Sequence, residues 1–332
     1  MPARERAGQV VMVGVTHASA AQLRVLKKYS IGTVILMGNH DDGVAAVKKI
    51  TARLTWKGQR TPILVATDQE GGTVQRLTGP GFATIPSAAT QAGLSDKQLT
   101  ARAKSWGAAL RKAGVRWTLA PVADVVPAGM TSRNAPIGLL RRGHGSQPST
   151  VAKKVVAYSK GMHAAGVATS VKHFPGIGRV YGNTDFSAGI TDRTTTADDT
   201  YLKPFKAGVQ SPRSSVMMST VTYTKIDPKH PAAFSATVIG LVRSRLGFDG
   251  VVLSDDLGAA AGAAHVPARE RATRFIRAGG DLAMTVSPWL ADDFVAGLRA
   301  AARKSPTLAA HITRAATRVV ALKIELGLVP CR

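Results

Sequence analysis

A chain of 332 residues that is 45% hydrophobic, with 33 glycines and 17 prolines, has enough apolar side chains for one large core or two modest ones and is neither fibrous nor disordered in composition. Its 44 lysines and arginines against 20 aspartates and glutamates leave a formal charge of +24, which attracts polyanions: nucleic acid, an anionic membrane or an acidic cell-wall polymer. There is no zinc-finger spacing and no compact aromatic-basic motif, and the cations are scattered over most predicted helices, which argues against a specific nucleic-acid reader and for a solvated basic surface.

In chain order, residues 9–15 (QVVMVGV) read as a first strand after a basic N-terminal turn, and 19–29 as a helix capped by Ser19. Residues 31–37 (IGTVILM) are a second strand and 42–55 a helix capped by Asp42. Residues 62–68 (PILVATD) form a third strand ending in an acid, followed at once by a Gly71-Gly72 turn and an irregular, breaker-rich loop over 77–87. After a helix over 97–113, residues 116–124 (RWTLAPVAD) are a fourth strand that again ends in aspartate. The loop from 125 to 147 is long, and long loops inside compact domains are usually functional. A helix over 150–165 leads to a fifth strand, 168–175 (ATSVKHFP), and a second long loop, 176–196. Next come a helix over 198–210, a sixth strand over 215–221 and a helix over 235–246.

Residues 250–257 (GVVLSDDL) run an unbroken aliphatic stretch into two carboxylates. Taken alone, the segment reads equally well as a buried parallel strand delivering an acid or as an aspartate-capped helix start. Recurrence of the pattern favours the seventh strand. A helix over 267–278, an eighth strand over 282–286 (LAMTV) and two terminal helices, 290–303 and 308–326, close the chain. Eight strand-then-helix units argue for a single α/β domain over 1–332, a (β/α)8 barrel with extra terminal helices and with Asp68, Asp124, His173 and Asp255 on its C-terminal rim. An open doubly wound sheet is the alternative, weakened by the lack of a Gly-rich turn after the first strand.

Three motifs fall on that rim: Asp68-Gln69-Glu70-Gly71-Gly72-Thr73-Val74-Gln75-Arg76, Lys172-His173-Phe174-Pro175-Gly176, and Gly247-Phe248-Asp249-Gly250 running into Ser254-Asp255-Asp256-Leu257. Together with residues 120–124 (APVAD) and 278–281 (AGGD), they make the chain resemble the family-3 glycoside hydrolases, in particular the bacterial β-N-acetylglucosaminidases that trim peptidoglycan fragments. The resemblance implies a (β/α)8 barrel and a retaining, two-step hydrolysis of terminal β-linked N-acetylglucosamine (GlcNAc) through a glycosyl-enzyme intermediate. In it, Asp255 matches the nucleophile, Asp68 an acid that grips sugar hydroxyls, Arg76 a base-of-pocket cation, and Lys172 with His173 a hydroxyl-binding pair. Asp256 is expected to turn away and bond loop backbone. Strand alternation would put Lys172 and His173 on opposite faces, so the backbone must bulge or turn there. A further substrate-binding arginine is expected after the fourth strand; Asn134-Ala135-Pro136-Ile137-Gly138 is present, and Arg142 is preferred over Arg141 because Gly143-His144-Gly145 follows it.

The chain departs from the family where an Asp-x-His dyad supplies the acid/base, for it reads Asn183-Thr184-Asp185, and a rim histidine after the sixth strand is replaced by Thr220. Three outcomes follow: Asp185 acts as acid/base after Val180, Tyr181 and Phe186 desolvate it; Asp192 takes the role; or the protein is a carbohydrate-binding pseudoenzyme or weak hydrolase. The first is preferred. No cofactor or metal ion is expected. The expected partners are β-GlcNAc sugars or muropeptides and anionic wall polymers, with no specific nucleic acid and a monomeric state. Cys331 has no partner in the chain, and no signal peptide or apolar span of about 20 residues is present. Basicity and a Cys331 partner lost with a processed leader together favour an extracytoplasmic location over a cytoplasmic one.

Overall fold

The computed structural model describes residues 1–330, so Cys331 lies outside the described residues. Its eight principal strands are Val11–Val15, Thr33–Leu36, Leu64–Thr67, Trp117–Thr118, Ala168–Phe174, Ser214–Met218, Val251–Asp256 and Leu282–Thr285. Each pairs in parallel with the next, and the first pairs with the eighth through Val11 and Ala283, closing the barrel. Helices pack around the outside.

Strand alternation sorts the apolar residues into two cores. One set of alternating positions meets in the barrel interior: Met12, Ile35, Leu64 with Ala66, Met217, Val251 with Leu253, and Leu282 with Met284. The intervening residues, such as Val11, Val13, Val34, Val65, Val171 and Val252, pack outward under the helices. Val319, Leu322 and Leu326 of the last helix, Pro306–Glu325, and the turn after it join the interior set and stop one end of the barrel. Lys323 of that helix is buried as well; it donates to Gln9 Oε1 at 3.0 Å, and burial pushes its ammonium pKa down to about 7.

Local sequence explains several element starts. Ser19 with Gln22 and Ser95 with Gln98 form reciprocal capping boxes. Asp42 makes no side-chain cap, contrary to expectation. Residues expected as an N-terminal turn form a helix, Ala3–Gln9, and the first strand starts after it. The regular fourth strand shortens to two residues, and Pro121 has no N–H to give the ladder; beyond Thr118 it continues as single hydrogen bonds and an isolated bridge between Val122 and Lys172. The helix expected over 198–210 is a 3-10 turn, Thr200–Leu202, followed by Lys203–Gly208. The sixth strand ends at Met218, and Thr222–Tyr223 instead pairs with Thr191–Asp192 in a small parallel sheet. The Gly71-Gly72 turn joins a short hairpin, Gln69–Gly71 with Val74–Gln75. Gly71 has φ +104°, and a Cβ there would lie 2.4 Å from the Pro86 carbonyl oxygen, so no other residue fits. Among the described residues no helix is long and apolar enough to cross a membrane.

Candidate active site

A cavity of about 690 Å³ opens at the C-terminal rim above the interior residues Ile35, Met217 and Met284. All seven residues singled out from the sequence, Asp68, Arg76, Arg142, Lys172, His173, Asp185 and Asp255, line it. For three of them the reason is register. Leu64-Ala66-Asp68, Ala168-Ser170-Lys172 and Val251-Leu253-Asp255 are runs of every second residue, so the side chains that fill the barrel lead directly to the ones that line the cavity. His173 is out of phase with this series. The Lys172–His173 peptide is cis, and the register between the fifth and sixth strands shifts between Val171 and Phe174, which brings both side chains to the same cavity.

A compact charge network lies beneath the sugar-sized space. Lys172 Nζ bonds Asp68 Oδ1 at 2.8 Å and Glu70 Oε1 at 2.6 Å. Arg142 forks onto Glu70 through Nε at 2.9 Å and Nη2 at 2.8 Å, while its Nη1 donates to the Pro136 carbonyl. Burial alone would raise the Glu70 pKa, but the charges of Arg142 and Lys172 outweigh it and hold the carboxyl well below the usual range. Burial likewise opposes the charge on Lys172, and Asp68 and Glu70 overcome it, so its pKa lies above the ordinary lysine value. Arg141 is exposed, so Arg142 is the one of the pair that serves the cavity. Arg76 donates to Asn39 Oδ1 at 3.3 Å and keeps a buried Nε–H without a partner in the cavity wall.

Asp124, fully buried, fixes His173. Its Oδ2 lies 2.8 Å from His173 Nδ1, both of its oxygens accept from the His173 backbone N–H, and Oδ1 also accepts from Ile177 N–H at 2.8 Å. A carboxylate only accepts, so Nδ1 carries the proton and Nε2 is left for a ligand. Replacing Asp124 with Asn is expected to lower kcat/KM by about 10- to 100-fold, the equivalent of ~1.5–3 kcal/mol for a hydrogen bond to a charged group. Steady-state kinetics with a terminal N-acetylglucosaminide checks this, and an unchanged kcat/KM would show that His173 needs no such orientation.

On the seventh strand the two adjacent acids diverge. Asp256 accepts four backbone N–H groups, from Gly258, Ala259, Ala260 and Val286, at 2.8–3.2 Å, and so shapes the loop as expected. Among the described residues Asp255 accepts only from the Asp256 N–H, at 2.8 Å, and otherwise faces the cavity. Burial pushes the Asp255 pKa up; the charge of His173 pulls it back, that of Asp185 pushes it further up, and it stays above the ordinary carboxylate value.

Asp185 reaches the cavity from a loop that is held at both ends. Asn134, buried, donates to the carbonyls of Ile177 and Val180 and accepts from Ile137 and Gly138, tying the two long loops together. Downstream, Gly262 and Ala261 N–H groups donate to the Thr184 and Asp185 carbonyls. The expected desolvation of Asp185 by its neighbours does not occur: Val180 is buried beneath the loop, but Tyr181 and Phe186 are 60% and 83% exposed, and Asp185 is itself exposed at the mouth. Asp192 is not at the cavity. It is buried in the flanking sheet, accepting from Thr194 N–H, Thr195 N–H and the Thr195 hydroxyl. Thr220 is buried with an unpartnered hydroxyl, and a Cβ on Gly262 would lie 2.6 Å from it.

Two site residues have roles that the sequence pattern does not specify. Glu70 lies within the Asp68–Arg76 motif and carries only a parity signal, two residues after Asp68 in extended chain. Asp124 is expected on the rim, but its grip on His173 is visible only in the structure.

The chain matches the model of the glycosyl hydrolase family 3 N terminal domain over residues 3–322. A beta-hexosaminidase of Xylella fastidiosa is 34% identical over 320 residues, 90% of this chain and 89% of that protein. Beta-hexosaminidase LpqI of Mycobacterium tuberculosis is 31% identical over 330 residues, 96% of this chain and 82% of that protein. The crystal structure of a beta-N-acetylhexosaminidase from Beutenbergia cavernae superposes with a TM-score of 0.93 at 42% identity, covering 97% of this chain and 98% of that one. Barrel, rim cavity and family model coincide over almost the entire length, and the chain belongs to glycosyl hydrolase family 3: it is a glycoside hydrolase.

Proposed function

We propose that the protein is a retaining exo-β-N-acetylglucosaminidase that removes terminal β-linked GlcNAc from peptidoglycan fragments. Asp255 attacks the anomeric carbon as the glycosidic C–O bond breaks, and Asp185 gives its proton to the departing oxygen. In the second step Asp185 takes a proton from water, the water oxygen bonds the anomeric carbon, and the ester to Asp255 breaks. Asp68, Lys172, His173 Nε2 and Arg76 hold the sugar hydroxyls, with Arg142 fixing Glu70 below them.

The observation that carries this reading is the meeting of Asp255, Asp185 and the hydroxyl-binding set in one cavity of sugar size. Asp255 and Asp185 share that cavity, and the charge of Asp185 helps push the Asp255 pKa up. A non-hydrolytic carbohydrate binder is not favoured, because among the described residues Asp255 accepts a single hydrogen bond, which suits a nucleophile. The relatives named above are beta-hexosaminidases, which supports the N-acetylhexosaminide class. A wall-directed substrate and an extracytoplasmic location would both agree with the charge of +24.

The test compares wild type with Asp185→Ala on a muropeptide and on an aryl N-acetylglucosaminide with a good leaving group, with and without azide. Muropeptide hydrolysis is expected to fall by about 10²- to 10⁴-fold, the usual worth of a general acid, while the first step on the aryl substrate changes little. Azide should restore turnover of the aryl substrate and give the β-glycosyl azide. Unchanged muropeptide hydrolysis would remove Asp185 from the mechanism, and an inverted product would remove the covalent step.

A further inference from the structure

We propose that the groove on the outside of the barrel between helices Asp96–Lys112 and Pro148–Ala164 binds a flexible phosphodiester polymer of the polyol phosphate type. The groove has a volume of about 800 Å³ and shares no residue with the active-site cavity. Lys97 and Lys104 enter it from the first helix, Lys153 and Lys160 from the second, and Lys203 from the start of Lys203–Gly208. Within each helix the two lysines are seven residues apart, two turns, so they stand about 10 Å from one another along the same face. All five are exposed, and among the described residues none of them has an ion-pair partner. The single carboxylate lining the groove, Asp96, is already bonded to Lys154 at 2.8 Å.

Five ammonium groups around one trough repel each other, and a row of anions laid along it relieves that repulsion. Ala152 and Ala157 are buried beneath the groove, with Ala101 and the half-exposed Val156 beside them, so a thin chain can lie between the lysine rows. Neighbouring helices pack about 8–10 Å apart, too close to accept a nucleic-acid duplex between them. No aromatic side chain and no arginine lines the groove, which leaves nothing for bases to stack on and no forked donor for reading their edges. Lysines act as point charges that suit phosphate without demanding the planar geometry that arginine imposes. Helices of 17 residues give a track about 25 Å long at 1.5 Å per residue, room for several repeats of such a polymer.

The experiment measures binding of poly(glycerol phosphate) to the full chain at several salt concentrations. The groove variant carries K97Q, K104Q, K153Q and K160Q; a control with the same net charge carries R24Q, K49Q, R303Q and K304Q on other helices. At about 0.1 M salt the groove variant is expected to bind about 30-fold more weakly or worse, with a salt slope reduced by about three, and the control to stay within about three-fold of wild type. Both variants should hydrolyse an aryl N-acetylglucosaminide as wild type does, which also shows that they are folded. Equal losses in the two variants would mean that overall charge, not the groove, does the binding. Tighter binding of a DNA duplex, or equally tight binding of polyglutamate of matched charge, would overturn the choice of polymer.

Discussion

Replacing Asp255 with Asn is expected to abolish hydrolysis and at the same time make the protein harder to unfold. Loss of a covalent nucleophile lowers kcat on the order of 10⁴- to 10⁶-fold, leaving what positioning and binding supply. The gain in stability follows from the buried environment of the residue. Burial, together with the charge of Asp185, raises the Asp255 pKa above its ordinary value of 3.8 despite the pull of His173. A carboxyl whose native pKa is raised binds its proton more tightly folded than unfolded, so its contribution to stability is greatest below 3.8 and is lost as pH rises through the native value. At neutral pH the ionised group therefore costs stability, and a neutral amide of the same shape removes that cost. Thermal melts should place the Asn variant above wild type at neutral pH, with the gap closing as pH falls towards the ordinary carboxylate range. A variant that melts lower than wild type, or that retains kcat, would contradict the assignment.

Glu70→Gln is expected to have the largest structural cost of any single change at the site. Lys172 and Arg142 have side chains that are only 3% and 12% exposed, and both rely on Glu70, with Asp68 as the one other carboxylate bonded to Lys172. Removing one member of a buried ion group leaves the others desolvated without compensation, which costs about 3–5 kcal/mol. The loss should appear as a lower denaturant midpoint, together with a fall in kcat/KM as Lys172 leaves the hydroxyl-binding position. The pH behaviour of the wild-type network has a definite sign. Glu70, held below its usual 4.5, contributes stability above that value and loses it as pH falls through the depressed one. Lys172, raised above 10.5, contributes below that value and loses its share as pH rises through the raised one. The network is thus intact across the whole neutral range, and Glu70→Gln should lower the midpoint by a similar amount from pH 6 to pH 8. A midpoint within error of wild type would show that Asp68 alone compensates both cations.

What could be read in the sequence was whatever a period of two residues fixes. Leu64-Ala66-Asp68 and Val251-Leu253-Asp255 carry their inward face to the rim without any long-range information, and the barrel's closure follows from eight such units. The same rule required a break between Lys172 and His173, although it could not say that the break would be a cis peptide with a register shift. Arg142 and Glu70 meet across 72 residues, and no local pattern encodes that pairing. The apolar character of Tyr181 and Phe186 is no guide to burial because a side chain is buried only when enough packs over it, and here only the Arg133 guanidinium lies over Tyr181 among the described residues, while Phe186 is 83% exposed. Pro121 did carry a local signal, a missing donor, that marks where the fourth strand must stop.

The two hydrogen bonds from the Ala261 and Gly262 N–H groups to the carbonyls of Asp185 and Thr184 join the loop that carries Asp185 to the segment that leaves the seventh strand. Moving the 183–186 loop alone would break these two bonds, whereas moving it together with the 259–263 stretch would keep them. On the proposed mechanism, the acid-bearing lip of the cavity and the backbone just beyond the nucleophile would then shift as one unit.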